Sequence, residues 1–394
     1  MTLLDIITKA SANAEAHGSQ TEYPIILNPD DVFNNLKTEL ENPAPSSLVS
    51  PLTGWEISPT DAVIIDLSKK FVTKLKRKLK DTNNFNREEF IGMLNSFLEK
   101  VREKSGISVG FDSNDNRYTA VLIEKVGFLM GRDVVVLVLE ACLGLEIWEL
   151  VEALIINSLV DHSCYSSLVP ELAAKKKTDL LCLCTKHASD LGSSELLCIL
   201  KYFLNPSKDA YSGMVSVRKE WESQALLAIE RAGDEKVFGK KSRLAKEAAI
   251  LLMIAYDGFS DAELCLHYLL KSSNVDEVVL AYSIGKLNGK EMVNLIRYLG
   301  KWLKKYERFP QANECPKASS TLGLKACDWV PKLEDVAKCL GMLLDQNFSS
   351  LVLHPEFHQE LKSIEGVVSS LAFEARFCCL MANVVEKLRA GAQG

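Results

Sequence analysis

From residue 59 onward, apolar residues recur at steps of three and four. That spacing returns side chains to one face of a helix on successive turns, so it predicts helix after helix. Ile64, Leu67, Phe71, Leu75 and Leu79 form the first stripe, with Thr60 or Asp61 as its N-cap. Phe90, Leu94, Phe97 and Val101 form the second over 87–104, closed by Gly106 and Gly110. Residues 118–130 are a third helix. The β-branched run 134–139 is a candidate strand, with a buried helix beyond it over 145–160. A pair at 178–189 and 195–204 is split by the turn Gly192, Ser193, Ser194. Next comes 215–231, with Trp221 and Leu226 assigned to its apolar side, then 242–256, 261–270 and 275–287.

The cleanest stripe lies on 291–307: Met292, Leu295, Ile296, Leu299, Trp302, Leu303 and Tyr306. A loop is expected over 309–329. Leu333, Val336, Ala337, Leu340, Leu343 and Leu344 then mark a helix, and 356–388 a long final helix or helix pair. Residues 1–58 break the pattern with Pro24, Pro29, Pro43, Pro45 and Pro51. They read as a poorly ordered segment and linker, with a short strand at 23–27 and a short helix at 30–41 as candidates. The expected organisation is therefore a flexible segment 1–58 and an all-α domain 59–394. That domain is an irregular α-solenoid or a bundle of antiparallel helix pairs, with no fixed-period repeat.

Composition narrows the class. The chain has 394 residues, 47% of them hydrophobic, enough for a sizeable core. Its net charge of −6 argues against a free-standing nucleic-acid binder, which needs a basic excess for phosphate contacts. Any RNA contact must then be local. The 11 cysteines sit in apolar runs, and the opening MTLLDIITKA has no secretory character. Free, mostly buried thiols in a reducing compartment are expected. The densest apolar stretch, 134–155, is broken by Glu140, Glu146, Glu149 and Glu152, so no membrane span is expected.

No phosphate-binding glycine loop or nucleophile elbow occurs, and the six histidines form no triad pattern. Two places carry metal-ligand residue types. Cys182, Cys184 and His187 share a helical stretch, but two thiols two residues apart diverge by about 200° on a helix. Buried core cysteines are the competing reading. His354 and His358 flank Pro355 and Glu356. There the glutamate is out of place for a zinc motif, and the pattern reads as a surface helix start.

Charge gives two partner-contact candidates. Lys69, Lys70, Lys76, Arg77 and Lys80 fall opposite the Leu67–Phe71–Leu75–Leu79 stripe, with Lys74 and Lys78 on its flanks. This face suits RNA phosphates, without base specificity, or an acidic protein surface. A solvated face or a nuclear-import stretch is the competing reading. Arg297, Trp302, Lys304 and Lys305 form the second set. Trp and Arg anchor many interfaces, although helical spacing equally suits a core Trp with wet lysines.

Three runs carry a family resemblance: Leu295-Ile-Arg-Tyr-Leu-Gly-Lys-Trp-Leu-Lys-Lys-Tyr306, Leu333-Glu-Asp-Val-Ala-Lys-Cys-Leu-Gly-Met-Leu-Leu-Asp-Gln-Asn-Phe348, and Ser349-Ser-Leu-Val-Leu-His-Pro-Glu356. Together they resemble the C-terminal helical domain of the nucleolar protein 11 family, most closely over 289–388. The resemblance implies a non-catalytic, nucleolar scaffold of the small-subunit processome. It also implies WD-repeat proteins of that assembly as partners, and roles in 18S rRNA maturation and rDNA transcription. It brings no catalytic residue, cofactor or small-molecule substrate. Family members carry an N-terminal β-propeller. This chain has no blade-like run of strands and no room for one, so it reads as a shortened or partial member. Two other classes stay open: a cytosolic helical-repeat adaptor for trafficking or ubiquitin transfer, and a metal-dependent enzyme using Cys182, His187, His354 or His358.

Overall fold

A computed structural model of the chain describes residues 58–80, 85–108, 117–233 and 240–392. The candidate strand at 23–27 and helix at 30–41 lie outside the described residues. The helical unit is Pro59–Gly394. Among the described residues it holds 16 α-helices and no strand, an all-α fold.

Helix α1 (Pro59–Lys80) starts at Pro59, one residue before Thr60, because the fixed φ of proline suits the first helical position. Helix α2 (Arg87–Ser105) is capped by the Asn86 side chain, which accepts from the Glu89 amide, and ends at Gly106 with φ 70°. Then come α3 (Tyr118–Val126), α4 (Arg132–Gly144), α5 (Trp148–Ile156), α6 (Tyr165–Ala174), α7 (Thr178–His187) and α8 (Ser193–Leu204). Helices α9 (Ala210–Gly233), α10 (Lys240–Tyr256), α11 (Asp261–Lys271) and α12 (Glu277–Ile284) follow. The series closes with α13 (Gly289–Arg308), α14 (Ala318–Leu322), α15 (Leu333–Leu353) and α16 (His358–Ala392). Alternate helices stack, α3 on α5, α5 on α7, α7 on α9, and α6 on α8, as in an α-solenoid. Later, α13 packs on both α15 and α16. Gly300 makes the second contact close, since a Cβ there would lie 3.2 Å from Ile364 Cγ1.

Four expectations need correction. The run 134–139 is helical and lies inside α4, with Val134, Val135, Val138, Ala141 and Cys142 buried. A β-branched residue costs a helix a few tenths of a kcal/mol, whereas burying each Val or Leu contributes about 1.5–3 kcal/mol, so packing decides. Leu226 is 60% exposed, because the buried face of α9 runs Met214, Val217, Trp221, Ala225 and Ala228. On α15 the buried face is Val336, Cys339, Leu340 and Leu343, and Leu333, Ala337 and Leu344 are exposed. The loop 309–329 contains α14 and a 3-10 turn at Lys325–Trp329.

Helices α4, α5 and α6 end in the same way. Glu146, Ser158 and Lys176 each take positive φ, near 54–58°. The next amide bonds back to the carbonyl five residues earlier: Ile147 to Cys142, Leu159 to Leu154, and Lys177 to Leu172. A non-glycine residue in this region costs roughly 1–2 kcal/mol. Ser158→Gly should therefore stabilise the chain by about 0.5–1 kcal/mol, read as a higher urea midpoint. An unchanged or lower midpoint would show that the turn carries no such strain.

One cluster locks α9, α10, α11 and α13 together. His267 on α11 is fully buried. Its Nδ1 lies 2.8 Å from the Tyr298 hydroxyl and its Nε2 3.0 Å from the Ala255 carbonyl. A carbonyl only accepts, so Nε2 carries the proton and Nδ1 accepts from Tyr298. Phe259, Trp302 and Trp221 surround the ring at 4.7, 4.9 and 5.2 Å. Burial lowers this imidazole from 6.5 to about 3. Between those values the unfolded chain binds a proton that the folded chain refuses. The group's contribution is complete above about pH 6.5 and falls by about 1.4 kcal/mol per pH unit as the pH drops toward 3. Urea unfolding from pH 7 to 4.5 should show a steeper loss for the native chain than for His267→Gln, and equal slopes would refute this account.

Candidate interaction surfaces

The basic face of α1 is built by anchoring its other side. Ile64, Phe71 and Leu75 are buried on α1, and the helix packs against α2 and α4. Phe71 stacks on Phe97 of α2 with ring centroids 4.5 Å apart. This fixes the rotation of the helix and turns Lys69, Lys70, Lys74, Lys76, Arg77 and Lys80 to solvent. Lys70 pairs with Asp66 at 2.6 Å. Lys78 is half-buried and pairs with Glu89 at 2.7 Å, which ties α1 to α2 and removes it from the free set. Among the described residues, the salt bridges leave Lys69, Lys74, Lys76, Arg77 and Lys80 without a carboxylate partner. Lys69, Lys70, Thr73, Lys74 and Arg77 line one shallow groove. Its chemistry is a row of ammonium and guanidinium donors suited to an anion chain.

The second charged set does not form a surface. Trp302 is fully buried, 4.9 Å from both His267 and Phe259, and stacks on Tyr306. It belongs to the core cluster and cannot reach a partner. Arg297 bonds Glu360 at 2.7 Å and holds α16 to α13. Lys305 donates to the Asp257 carbonyl at 2.6 Å and lies 5.1 Å from the Phe259 ring centre. Burial pulls its ammonium below the ordinary lysine value. Lys304 and Arg297 are exposed, and Arg297 is already engaged with Glu360.

Cys182 and Cys184 are buried core thiols on α7. Burial pushes the Cys184 thiol far up, and holds the half-buried His187 imidazole down. His354 is exposed, and His358 Nε2 lies 2.9 Å from the Val352 carbonyl at the start of α16. Among the described residues no three His, Cys, Asp or Glu side chains converge as a metal set. All 11 cysteines are free, and only Cys378 and Cys379 are exposed. A groove of about 1020 Å³ lies between α2, α3 and α5 and has Ile91, Leu150, Ala153 and Ile156 in its wall.

The sequence places α16 as a long final helix over 356–388, as observed, but its exposed apolar half was not anticipated. Its first half packs through Ile364 and Val367, but every residue from Ala372 to Arg389 is exposed. Phe373, Phe377, Leu380, Val384 and Leu388 make an outward stripe. The segment Pro355–Arg389 is long and apolar enough to cross a membrane by length and composition, with a mean hydropathy of 1.4 in its richest window. The rule of an uninterrupted apolar run failed there because Glu374 and Arg376 interrupt it. Apolar residues on nearly every side of 367–388 were the available signal.

Scans against protein-family models and curated proteins return no match for this chain.

Burial separates the two candidate sets by stability. Trp302→Ala should cost about 3–5 kcal/mol, while Lys304→Ala should stay within about 0.5 kcal/mol. Equal effects in urea unfolding would overturn the assignment of Trp302 to the core.

Proposed function

We propose that the chain is a non-catalytic scaffold of nucleolar small-subunit ribosome assembly, acting in early pre-rRNA processing and 18S rRNA maturation. Its partners are WD-repeat subunits of the small-subunit processome, with the sugar-phosphate backbone of pre-rRNA as an auxiliary contact. A role in rDNA transcription belongs to the same reading. The resemblance over 289–388 supports it: the runs fall on α13, on α15, and on the last turn of α15 with its link into α16. The observation that carries the RNA contact is the solvent-facing set Lys69, Lys74, Lys76, Arg77 and Lys80 on one rigidly seated helix. An acidic chain can hold RNA only through such a local patch.

Each phosphate neutralised on single-stranded RNA contributes a slope of about −0.7 to the logarithm of affinity against that of salt. The quadruple variant Lys69→Glu, Lys70→Glu, Lys76→Glu, Arg77→Glu changes only exposed residues, so it should keep its helical circular dichroism and urea midpoint. In cells it should lose nucleolar retention and co-purification of precursor rRNA, while native chain recovers processome WD-repeat proteins with that RNA. A variant that assembles like native chain removes the basic face from the reading. Native chain recovered only with cytosolic coat or ligase components would replace the scaffold reading with the adaptor.

A further inference from the structure

We propose that the outward stripe on the second half of α16 is a self-association surface, on which two copies of this chain pair their α16 helices antiparallel. The stripe is Phe373, Phe377, Leu380, Val384 and Leu388, spaced four, three, four and four, with Met381 on its flank. That spacing keeps the side chains on one face for about four turns. Phe373, Leu380 and Leu388 are 72%, 64% and 69% exposed. With roughly 150–250 Å² for a whole aromatic side chain, the stripe offers on the order of 700 Å² of apolar surface. The largest patch on a typical monomer is about 300–600 Å², and a stable interface takes about 800 Å² from each partner. One copy of this stripe therefore supplies nearly half of a standard interface by itself.

At its root, over residues 358–371, α16 is already packed on the opposite face. Ile364 and Val367 are buried, Gly300 of α13 approaches Ile364, and Leu371, Ala375 and Cys378 line a groove of about 380 Å³ with Tyr306, Val330 and Leu333. A partner must approach from the far side. The stripe is close to palindromic about the point between Leu380 and Met381. Reflection there sets Phe373 against Leu388, Phe377 against Val384, and Leu380 against Met381, so large faces meet smaller ones along the seam. Such self-matching is what a two-fold interface requires. Antiparallel pairing also sends the two helical bodies, each seated on residues 358–371 of its own helix, to opposite ends of the seam. Parallel pairing would bring both bodies to the same end.

The test uses the full chain. Light scattering after size exclusion at micromolar concentration should give twice the 43.7 kDa chain mass. Phe377→Glu with Leu380→Glu should weaken self-association by about 100-fold or more and give the single-chain mass, with helical content retained. Val278→Glu, at an exposed apolar residue elsewhere, should leave the dimer intact. In a Cys378→Ser, Cys379→Ser background, Leu380→Cys should cross-link to itself on mild oxidation, and Leu388→Cys should not. A native chain of single mass overturns the proposal, as does a dimer that survives the double Glu variant. Self-cross-linking through Leu388→Cys overturns the antiparallel pairing. Single-mass chain that co-sediments with phosphatidylcholine vesicles would give the stripe to lipid and overturn the proposal in that way.

Discussion

The His267 imidazole has to remain neutral for the centre of this fold to exist. Its proton points at the Ala255 carbonyl of α10, and its lone pair takes the Tyr298 hydroxyl of α13. The remaining contacts are aromatic faces and edges. A protonated ring would have two donors and would lose the acceptor that satisfies Tyr298, inside a site with no carboxylate among its partners. The two hydrogen bonds therefore do more than contribute about 1 kcal/mol each. They fix the tautomer, and through it the mutual seating of α10, α11 and α13 around Trp302. Arg218 extends the same junction outward by bonding Asp261 and the Phe259 carbonyl from α9.

Surface chemistry follows from that seating. Trp302 is committed to the cluster, and Lys305 is committed to closing the α10 C-terminus at Asp257. Arg297 ties down the root of α16. What looks in sequence like an aromatic-basic contact patch is a set of internal ties between helices. The α1 face is different in kind, because its apolar side is buried independently of the cluster and its cations have little to bind within the chain. Like charges one turn apart cost an isolated helix some tenths of a kcal/mol each. The seat on α2 and α4 offsets that cost through buried Phe71 and Leu75. Stability thus does not require the cations to find a partner, and their removal should leave the fold standing.

Helix positions were legible from the apolar period alone, since the one N-cap expected, Thr60 or Asp61, lies inside α1, while the observed N-caps were not read. Asn86, Ser260 and Asn288 each accept from the amide three residues on, at the start of α2, α11 and α13. The stripe on α13 was readable residue by residue, since six of its seven members are buried. Residues 134–139 were misread because β-branched propensity is weak against burial on several sides of α4. Leu226 was misassigned because five residues from Trp221 is half a turn off the buried face. The three glycine-free positive-φ turns left no residue signal, since Glu146, Ser158 and Lys176 take a conformation that only the next helix imposes. The basic face of α1 was readable from its charges, but the loss of Lys78 to Glu89 needed the neighbouring helix.

The free half of α16 poses a choice of solvent. Its apolar surface is too large and too continuous for water to be its resting environment. Lipid meets the length requirement but not the charge pattern. Glu374 and Arg376 sit near the middle of Pro355–Arg389, and a central arginine costs about 2.5–3.5 kcal/mol on insertion. Two residues apart, they point about 200° away from each other and cannot neutralise one another. At a helix–helix seam the same two charges cost nothing, because both lie outside the Phe373–Leu388 line and keep their water. The root of the helix is moreover fastened to α13 by Gly300, Ile364 and the Arg297–Glu360 pair. A protein surface satisfies both the apolar stripe and the flanking charges, and a second copy presents one whose size and spacing already match.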